Sequence, residues 1–294
     1  MIVGVPRSGL LAASILALYA NCKVTDVHSF CTNAPLATGR TRKDGTAEHS
    51  MGYLQTAWDA KSIVVIDDSA WTGKSLNDAR TMIETSGYKG KATYGAVYTS
   101  PTSSPLDFHF ASTGFPRIFE WNLFHRDEAE HYCVDIDGVL CLDPSAEQND
   151  DGPKYIDFLQ AARPLAATSY RIGHLVTSRL EKYRPQTEQW LRDFGVKYGE
   201  LHMLDLPSAE ERRRLGAHGS HKAKVYRKLK DAVLFIESES EQAIEIARLS
   251  GKPVLDYGQH VLRTPSSLAS LPRVLEKKSR GFAGRVKRKV KSWL

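Results

Sequence analysis

Ser62-Ile63-Val64-Val65-Ile66-Asp67-Asp68-Ser69-Ala70-Trp71-Thr72-Gly73-Lys74-Ser75-Leu76 is the stretch on which the architecture turns. An apolar, β-branched run over Ser62–Ile66 predicts a buried strand. Two carboxylates follow at its C-terminal end. A small, glycine-containing turn over Asp67–Ser75 then opens a helical pattern that runs to about Ser86. The same order occurs upstream. Ile2-Val3-Gly4-Val5 is strand-like, Pro6-Arg7-Ser8-Gly9 is a sharp turn, and a helix is expected through about Asn21. Further strands are expected over Lys23–Phe30 and Ala92–Tyr98. Strands alternating with helices predict a mainly parallel, doubly wound sheet. The Pro/Ser/Thr-rich stretch Ser100–Pro105 ends this pattern, and residues 115–130 are expected to form a polar-aromatic connection.

A second alternating series starts at His131. Strands are expected over Tyr132–Ile136, Ile172–Thr177, Ala232–Ile236 and Pro253–Leu255. Helices are expected over Pro185–Phe194, Lys222–Leu229 and Glu241–Leu249, while Glu200–Gly219 is taken as a charged insert. The fold class is therefore α/β: two doubly wound, mainly parallel-sheet domains, 1–130 and 131–260. A basic tail, 261–294, follows. No internal repeat relates the two halves, and their turn chemistry differs.

Composition sets the outer bounds. The 294 residues suit two domains of ordinary size. The 41% hydrophobic and 25% charged residues exclude a disordered, collagenous or disulfide-stapled chain. No run of apolar residues reaches the length of a membrane-crossing helix. Pro6-Arg7-Ser8 makes the N-terminus too polar for a signal peptide. Cys22, Cys31, Cys133 and Cys141 have no metal-ligand spacing and are expected as reduced thiols in a cytoplasm. Residues 261–294 hold ten basic side chains against Glu276 alone, a charge of +9, so residues 1–260 carry −3 of the net +6. The basicity is a property of the tail, and no base-reading module is present, so a nucleic-acid partner is not expected.

The first half carries an anion seat beside two acids. Backbone N–H groups at the start of a helix, with the Thr72 and Ser75 hydroxyls, suit a phosphate. Asp67 and Asp68 suit the vicinal hydroxyls of a sugar. The GxxxxGK[ST] spacing of a Walker loop is absent. The stretch resembles the phosphoribosyl diphosphate (PRPP) motif of type I phosphoribosyltransferases: hydrophobic strand, acidic pair, then T-G-x-[ST]. The resemblance implies that Asp67 and Asp68 contact the ribose 2- and 3-hydroxyls. Ala70, Trp71, Thr72, Gly73, Lys74 and Ser75 would cradle the 5-phosphate. Arg7, Ser8 and Gly9, in the turn after the first strand, match the family's pyrophosphate loop. Gly39–Gly45, with Arg40, Arg42 and Lys43, is the candidate for its mobile basic loop. The chain starts almost on the first core strand, so the family's N-terminal hood is expected to be missing or supplied elsewhere, an expectation that tells against the usual nucleobase acceptor. The implied chemistry is displacement of diphosphate from C1 of PRPP through an oxocarbenium-like state, with Mg²⁺ on the leaving group and inversion from α to β.

The second half carries Tyr132-Cys133-Val134-Asp135-Ile136-Asp137-Gly138-Val139-Leu140. Two carboxylates two residues apart beyond a buried strand suit phosphoryl transfer. Asp135 can attack phosphorus as a nucleophile, and Asp137 can protonate the leaving alcohol and then activate water. Both need Mg²⁺ nearby to offset phosphate repulsion. The spacing resembles motif I of the haloacid dehalogenase (HAD) superfamily, and three further motifs follow in order. Leu175–Arg179 resembles motif II, with Thr177 on the phosphoryl oxygens. Lys222 resembles the motif III lysine, with Lys224 the alternative. Leu234–Glu239 resembles motif IV, with Glu237 as the acidic Mg²⁺ partner beside Asp135 and Asp137, and Glu241 a weaker choice. Ser238 stands where the family has its second acid. The short inter-motif spacings imply small caps and an open site.

In the tail, Phe282, Val286, Val290 and Trp293 share one helical face, with Arg285, Lys287, Arg288, Lys289 and Lys291 around it. Such a basic amphipathic helix suits an anionic membrane surface. The histidines are expected to be structural. Together the two halves resemble bacterial ribofuranosyltransferase systems of surface polysaccharide synthesis. That resemblance implies PRPP, a lipid-linked glycan acceptor, and a cytoplasmic enzyme peripheral at the inner face of the membrane. The rival expectations are a nucleobase phosphoribosyltransferase fused to a nucleotidase, and a PRPP-sensing regulator.

Overall fold

The computed structural model describes residues 1–36, 54–100, 106–114 and 118–269. The basic loop at 39–45 and the amphipathic face from Phe282 to Trp293 lie outside these residues. The chain divides into two units, Met1–Arg117 and Ile118–Leu294. The division falls earlier than residue 130 because the segment before His131 joins the second unit, where Leu123, Phe124 and Ala129 enter the core.

The first unit contains β1 (Ile2–Gly4), α1 (Ser8–Tyr19), β2 (Val24–Asp26), α2 (Val27–Cys31), β3 (Ser62–Ala70), α3 (Lys74–Ser86), β4 (Lys91–Thr99) and β5 (Phe108–Ser112). Its sheet has the order β2-β1-β3-β4-β5, and every pair is parallel. Both faces are covered, as a doubly wound sheet requires. Val3, Val5, Ile63 and Val65 pack on one side with Phe30 and Ile83. Ile2 and Ile66 pack on the other with Ala13 and Ala17 of α1.

Two expectations in this unit need correction. The strand expected over Lys23–Phe30 stops at Asp26, because the Asp26 carboxylate accepts from the Ser29 amide (3.0 Å) and the Ser29 hydroxyl (2.6 Å). This N-cap favours a helical turn over further extension. The strand expected to end at Ile66 continues to Ala70. Asp67 and Ser69 continue the ladder with β4, opposite Ala96 and Tyr98, so the acidic pair lies within the strand and not beyond it.

The second unit contains β6 (Tyr132–Val134), α4 (Pro153–Ala161), β7 (Ile172–Leu180), α5 (Arg184–Asp193), β8 (Tyr198–Leu204), α6 (Ala209–Arg214), α7 (Ala217–Lys228), β9 (Leu234–Glu237), α8 (Ser240–Ser250), β10 (Val254–Asp256), β11 (Val261–Arg263) and α9 (Pro265–Ala269). The sheet order is β11-β10-β9-β6-β7-β8, parallel throughout except for the antiparallel edge strand β11. Val134, Leu175, Leu234 and Ile236 face Leu159, Trp190 and Leu191. Cys133, Val176 and Phe235 face Ala223, Tyr226 and Ile246 on the opposite side. The stretch expected as a charged insert, Glu200–Gly219, is instead the end of β8, all of α6 and the start of α7. Among the described residues, no helix is long and apolar enough to cross a membrane.

Candidate active sites

In an open α/β sheet, ligands bind outside the carboxyl ends of the strands, at the point where the strand order reverses. In the first unit that point lies between β1 and β3. Val5 donates its amide to the Ile66 carbonyl (3.0 Å), which carries the chain past β1 alongside β3. The turn then enters α1. A Cβ on Gly9 would lie 2.8 Å from both Cα and Oδ1 of Asp67. Glycine therefore lets the Arg7-Ser8-Gly9 turn close onto the acidic strand. Asp67 is buried and Asp68 half-buried, and the Asp68 amide donates to Asp67 Oδ1 (2.9 Å). Burial first, and then the neighbouring Asp68, push Asp67 up to about 8.

Beyond β3, Gly73 takes a left-handed conformation (φ 76°) and opens α3. The Lys74 amide donates to Thr72 Oγ1 (3.3 Å). The Lys74 ammonium donates to Asp78 Oδ2 (2.5 Å), lying back along its own helix. The N-terminus of α3, with Thr72 and Ser75, follows directly on the strand that carries Asp67 and Asp68, and Arg7 is exposed. Ala70 is buried at the end of β3, and Trp71 is half exposed. The structure thus gathers the turn after β1 and the acidic strand at one crevice.

In the second unit the reversal lies between β6 and β9. Asp135 follows β6 directly and stays in the ladder, its amide donating to the Ile236 carbonyl (3.1 Å). Asp135 Oδ1 accepts from the Ile136 amide (2.8 Å), and Oδ2 accepts from Lys222 Nζ (2.5 Å). Lys222 also donates to Glu237 Oε2 (2.7 Å) and Gln242 Oε1 (2.9 Å), so each of its three N–H bonds has an acceptor. Lys224, two residues on, is exposed. Burial opposes charge on Lys222, but Asp135 and Glu237 outweigh it and raise its pKa. Burial raises Asp135 against the pull of Lys222 and takes Glu237 to about 7.

Asp137 is held by a residue to which no role was assigned. Arg179, fully buried at the end of β7, donates through Nη2 to Asp137 Oδ1 (2.6 Å) and through Nε to Oδ2 (3.1 Å). Gly138 (φ 73°) turns the chain tightly over motif IV, where a Cβ would lie 2.2 Å from Ser238 Oγ. The Ser238 hydroxyl donates to the Asp137 carbonyl (3.4 Å). Thr177 is fully buried. A pocket of about 480 Å³, open mouth included, brings together Asp135, Asp137, Thr177, Lys222 and Glu237 with Asp143, Glu239, Arg212 and His218. Glu241 is exposed at the start of α8.

Arg212 and His218 came from the segment expected to be an insert. Arg212 is buried and donates through Nη1 to the Ser178 carbonyl (2.7 Å), while its Nε has no hydrogen-bond partner. Burial first, then Arg212 and Lys222, lower His218 to about 4, so it is neutral at pH 7. Burial, Asp137, Asp135 and Glu239 push Asp143 up to about 6. Five acids face Lys222 and Arg212, and Arg179 behind Asp137 makes a third cation, so carboxylates still outnumber cations at this pocket. An oxygen-rich, acid-rich donor set of this kind fits a hard divalent cation.

No protein family model matches the chain, and no curated protein does. Among solved structures, a purine phosphoribosyltransferase from Pyrococcus horikoshii Ot3 is 18% identical, with a TM-score of 0.24. The match covers 40% of this chain and 80% of that one. The likeness is too slight to carry any conclusion here. The class the architecture defines is a two-sheet α/β protein with a crevice at each topological reversal.

Proposed function

We propose that this chain is a bifunctional ribofuranosyltransferase. The first unit transfers 5-phosphoribofuranose from PRPP to a sugar hydroxyl of a glycan acceptor in β linkage, and the second then hydrolyses the 5-phosphate. The observation that carries the reading is the second crevice: a buried nucleophile candidate, Asp135, on a fully satisfied lysine, with a second carboxylate, Asp137, clamped two residues away.

At the first crevice, Asp67 and Asp68 accept from the ribose 2- and 3-hydroxyls. The Ala70–Ser75 turn and the N-terminus of α3 hold the 5-phosphate, and Arg7, Ser8 and Gly9 hold the diphosphate. The C1–O bond to diphosphate breaks with its electron pair on the leaving group, the acceptor hydroxyl oxygen bonds C1 from the opposite face, and its proton passes to the departing diphosphate. At the second crevice, a carboxylate oxygen of Asp135 attacks phosphorus, and the bond from phosphorus to the ribose O5 breaks. Asp137 gives its proton to O5. Water then attacks phosphorus, Asp137 takes the water proton, and the carboxylate of Asp135 is restored. Thr177 and Arg212 steady the phosphoryl oxygens, while Lys222 holds Asp135 and Glu237 in place and offsets their charge. Asp135, Asp137 and Glu237 would hold Mg²⁺, with Asp143 and Glu239 adding oxygens. When bound, the cation offsets charge on the phosphate and, at the first crevice, on the leaving diphosphate.

The acidic body and strongly basic tail suit a lipid-linked acceptor, with the chain peripheral at the inner face of the cytoplasmic membrane during surface polysaccharide (O-antigen or capsule) assembly. The test is incubation of the full chain with PRPP, Mg²⁺ and lipid-linked glycans, read by mass spectrometry. The wild type is expected to add an unphosphorylated pentose, and Asp135→Asn a pentose phosphate. Free ribose from that variant would remove Asp135 as nucleophile. PRPP turnover with free nucleobases instead of glycans would make the chain a nucleobase phosphoribosyltransferase joined to a nucleotidase.

A further inference from the structure

On the α7-facing side of the second sheet, away from the strand ends, three ligand-type side chains converge. His174 lies on β7, and Glu200 and His202 lie on β8. The register pairs His174 with Glu200 and Val176 with His202, so the alternation of the two strands puts all three on the face of Val176. One potential ligand atom from each lies within 4.8 Å of the others. Glu200 Oε2 is 3.7 Å from His174 Nδ1 and 3.2 Å from His202 Nε2. Neither contact has hydrogen-bond geometry, and both ring nitrogens are buried without a hydrogen-bond partner. His174 is more than nine-tenths buried. Leaving two buried imidazole nitrogens without partners around one carboxylate oxygen is costly unless something joins them.

The spacing says what would join them. A tetrahedral ion with bonds of about 2.0–2.1 Å sets its ligand atoms about 3.3–3.4 Å apart. The two measured spacings bracket that edge. The outer partner is also in place: His174 Nε2 lies 3.2 Å from Asp231 Oδ2. Because the carboxylate accepts, Nε2 carries the proton and the Nδ1 lone pair faces the cluster, as in carboxylate–histidine–metal arrangements. Two imidazoles and one carboxylate form a borderline donor set that suits zinc more than magnesium or calcium.

We propose that His174, Glu200 and His202 form a zinc site, separate from the phosphate-binding crevice and with its fourth position open to water beside the exposed Glu200. His174 precedes Thr177 by three residues, about 10 Å along the strand. The ion would fasten β8, the edge strand of this sheet, to β7.

Titration of the full chain with zinc alone, against a competing chelator, tests this. The wild type is expected to bind one equivalent that Glu200→Ala and His202→Ala each lose or bind at least ~10-fold more weakly. Asp231→Asn, which removes no ligand, should weaken that equivalent ~10- to 100-fold. Cobalt substituted for zinc should give the intense visible absorption of a four-coordinate site in the wild type and lose it in both ligand variants. Saturating zinc should raise the melting temperature of the wild type but not of Glu200→Ala. Equal stoichiometry and affinity in the wild type and both ligand variants would overturn the proposal. Glu200 is exposed, so its loss leaves the fold intact and that outcome remains readable.

Discussion

Asp67 stands in the first crevice with a proton that an exposed carboxyl would have shed. Its pKa, about 8 against an ordinary 3.8, means that the native unit binds a proton over this range which the unfolded chain has released. Stability conferred by the first unit therefore falls as pH rises from about 4 to 8. Asp67→Asn should flatten that dependence, raising the melting temperature at pH 8 while leaving pH 4 unchanged. It should also weaken PRPP binding, and an unaltered pH slope in differential scanning fluorimetry would refute the argument. Lys222 poses the opposite problem. It neutralises Asp135 and Glu237, so Lys222→Met leaves two buried acids unpaired and should cost about 3–5 kcal/mol at pH 8. Burial raises Glu237 even with Lys222 beside it, and loss of the lysine raises it further, so urea denaturation should show the loss shrinking as pH falls and the acids take up protons.

Whole elements were legible in the sequence where burial forces a pattern. The central strands β1, β3, β6, β7 and β9 are apolar because both faces are covered, and their motifs are contiguous because one strand end carries them. The edge strands β5 and β8 are only partly buried, and their short alternations (Phe108 and Phe110; Leu201 and Met203) are weaker signals than the continuous apolar runs of the central strands. Arg179, Arg212 and His218 escaped because their roles exist only through contacts distant in sequence. A signal for Arg179 was present, though. A lone arginine in a nine-residue strand buried along its whole length must find an anion. At the same scale, Gly9 joins the β1–α1 turn to β3. Gly9→Ala should cost about 1–3 kcal/mol and weaken PRPP binding more than it lowers stability, as calorimetry with PRPP would register.

At the scale of the whole molecule, each unit has its own sheet and core, so the two proposed chemistries should fail separately. Asp68→Asn should abolish transfer from PRPP while leaving the full chain's hydrolysis of a simple phosphate ester unchanged. Asp137→Asn should do the reverse, lowering hydrolysis about 10²- to 10⁴-fold and leaving a phosphorylated transfer product. Joint loss in either variant would mean that the sites are not independent. Finally, Lys222 has all three of its protons engaged by Asp135, Glu237 and Gln242, so an acylating reagent finds no free amine there. Its modification must wait for the second unit to open, whereas exposed Lys224 reacts at once. The lag between these two neighbours, followed by peptide mass, is a built-in clock for that opening, and a phosphate analogue seated in the crevice should slow it.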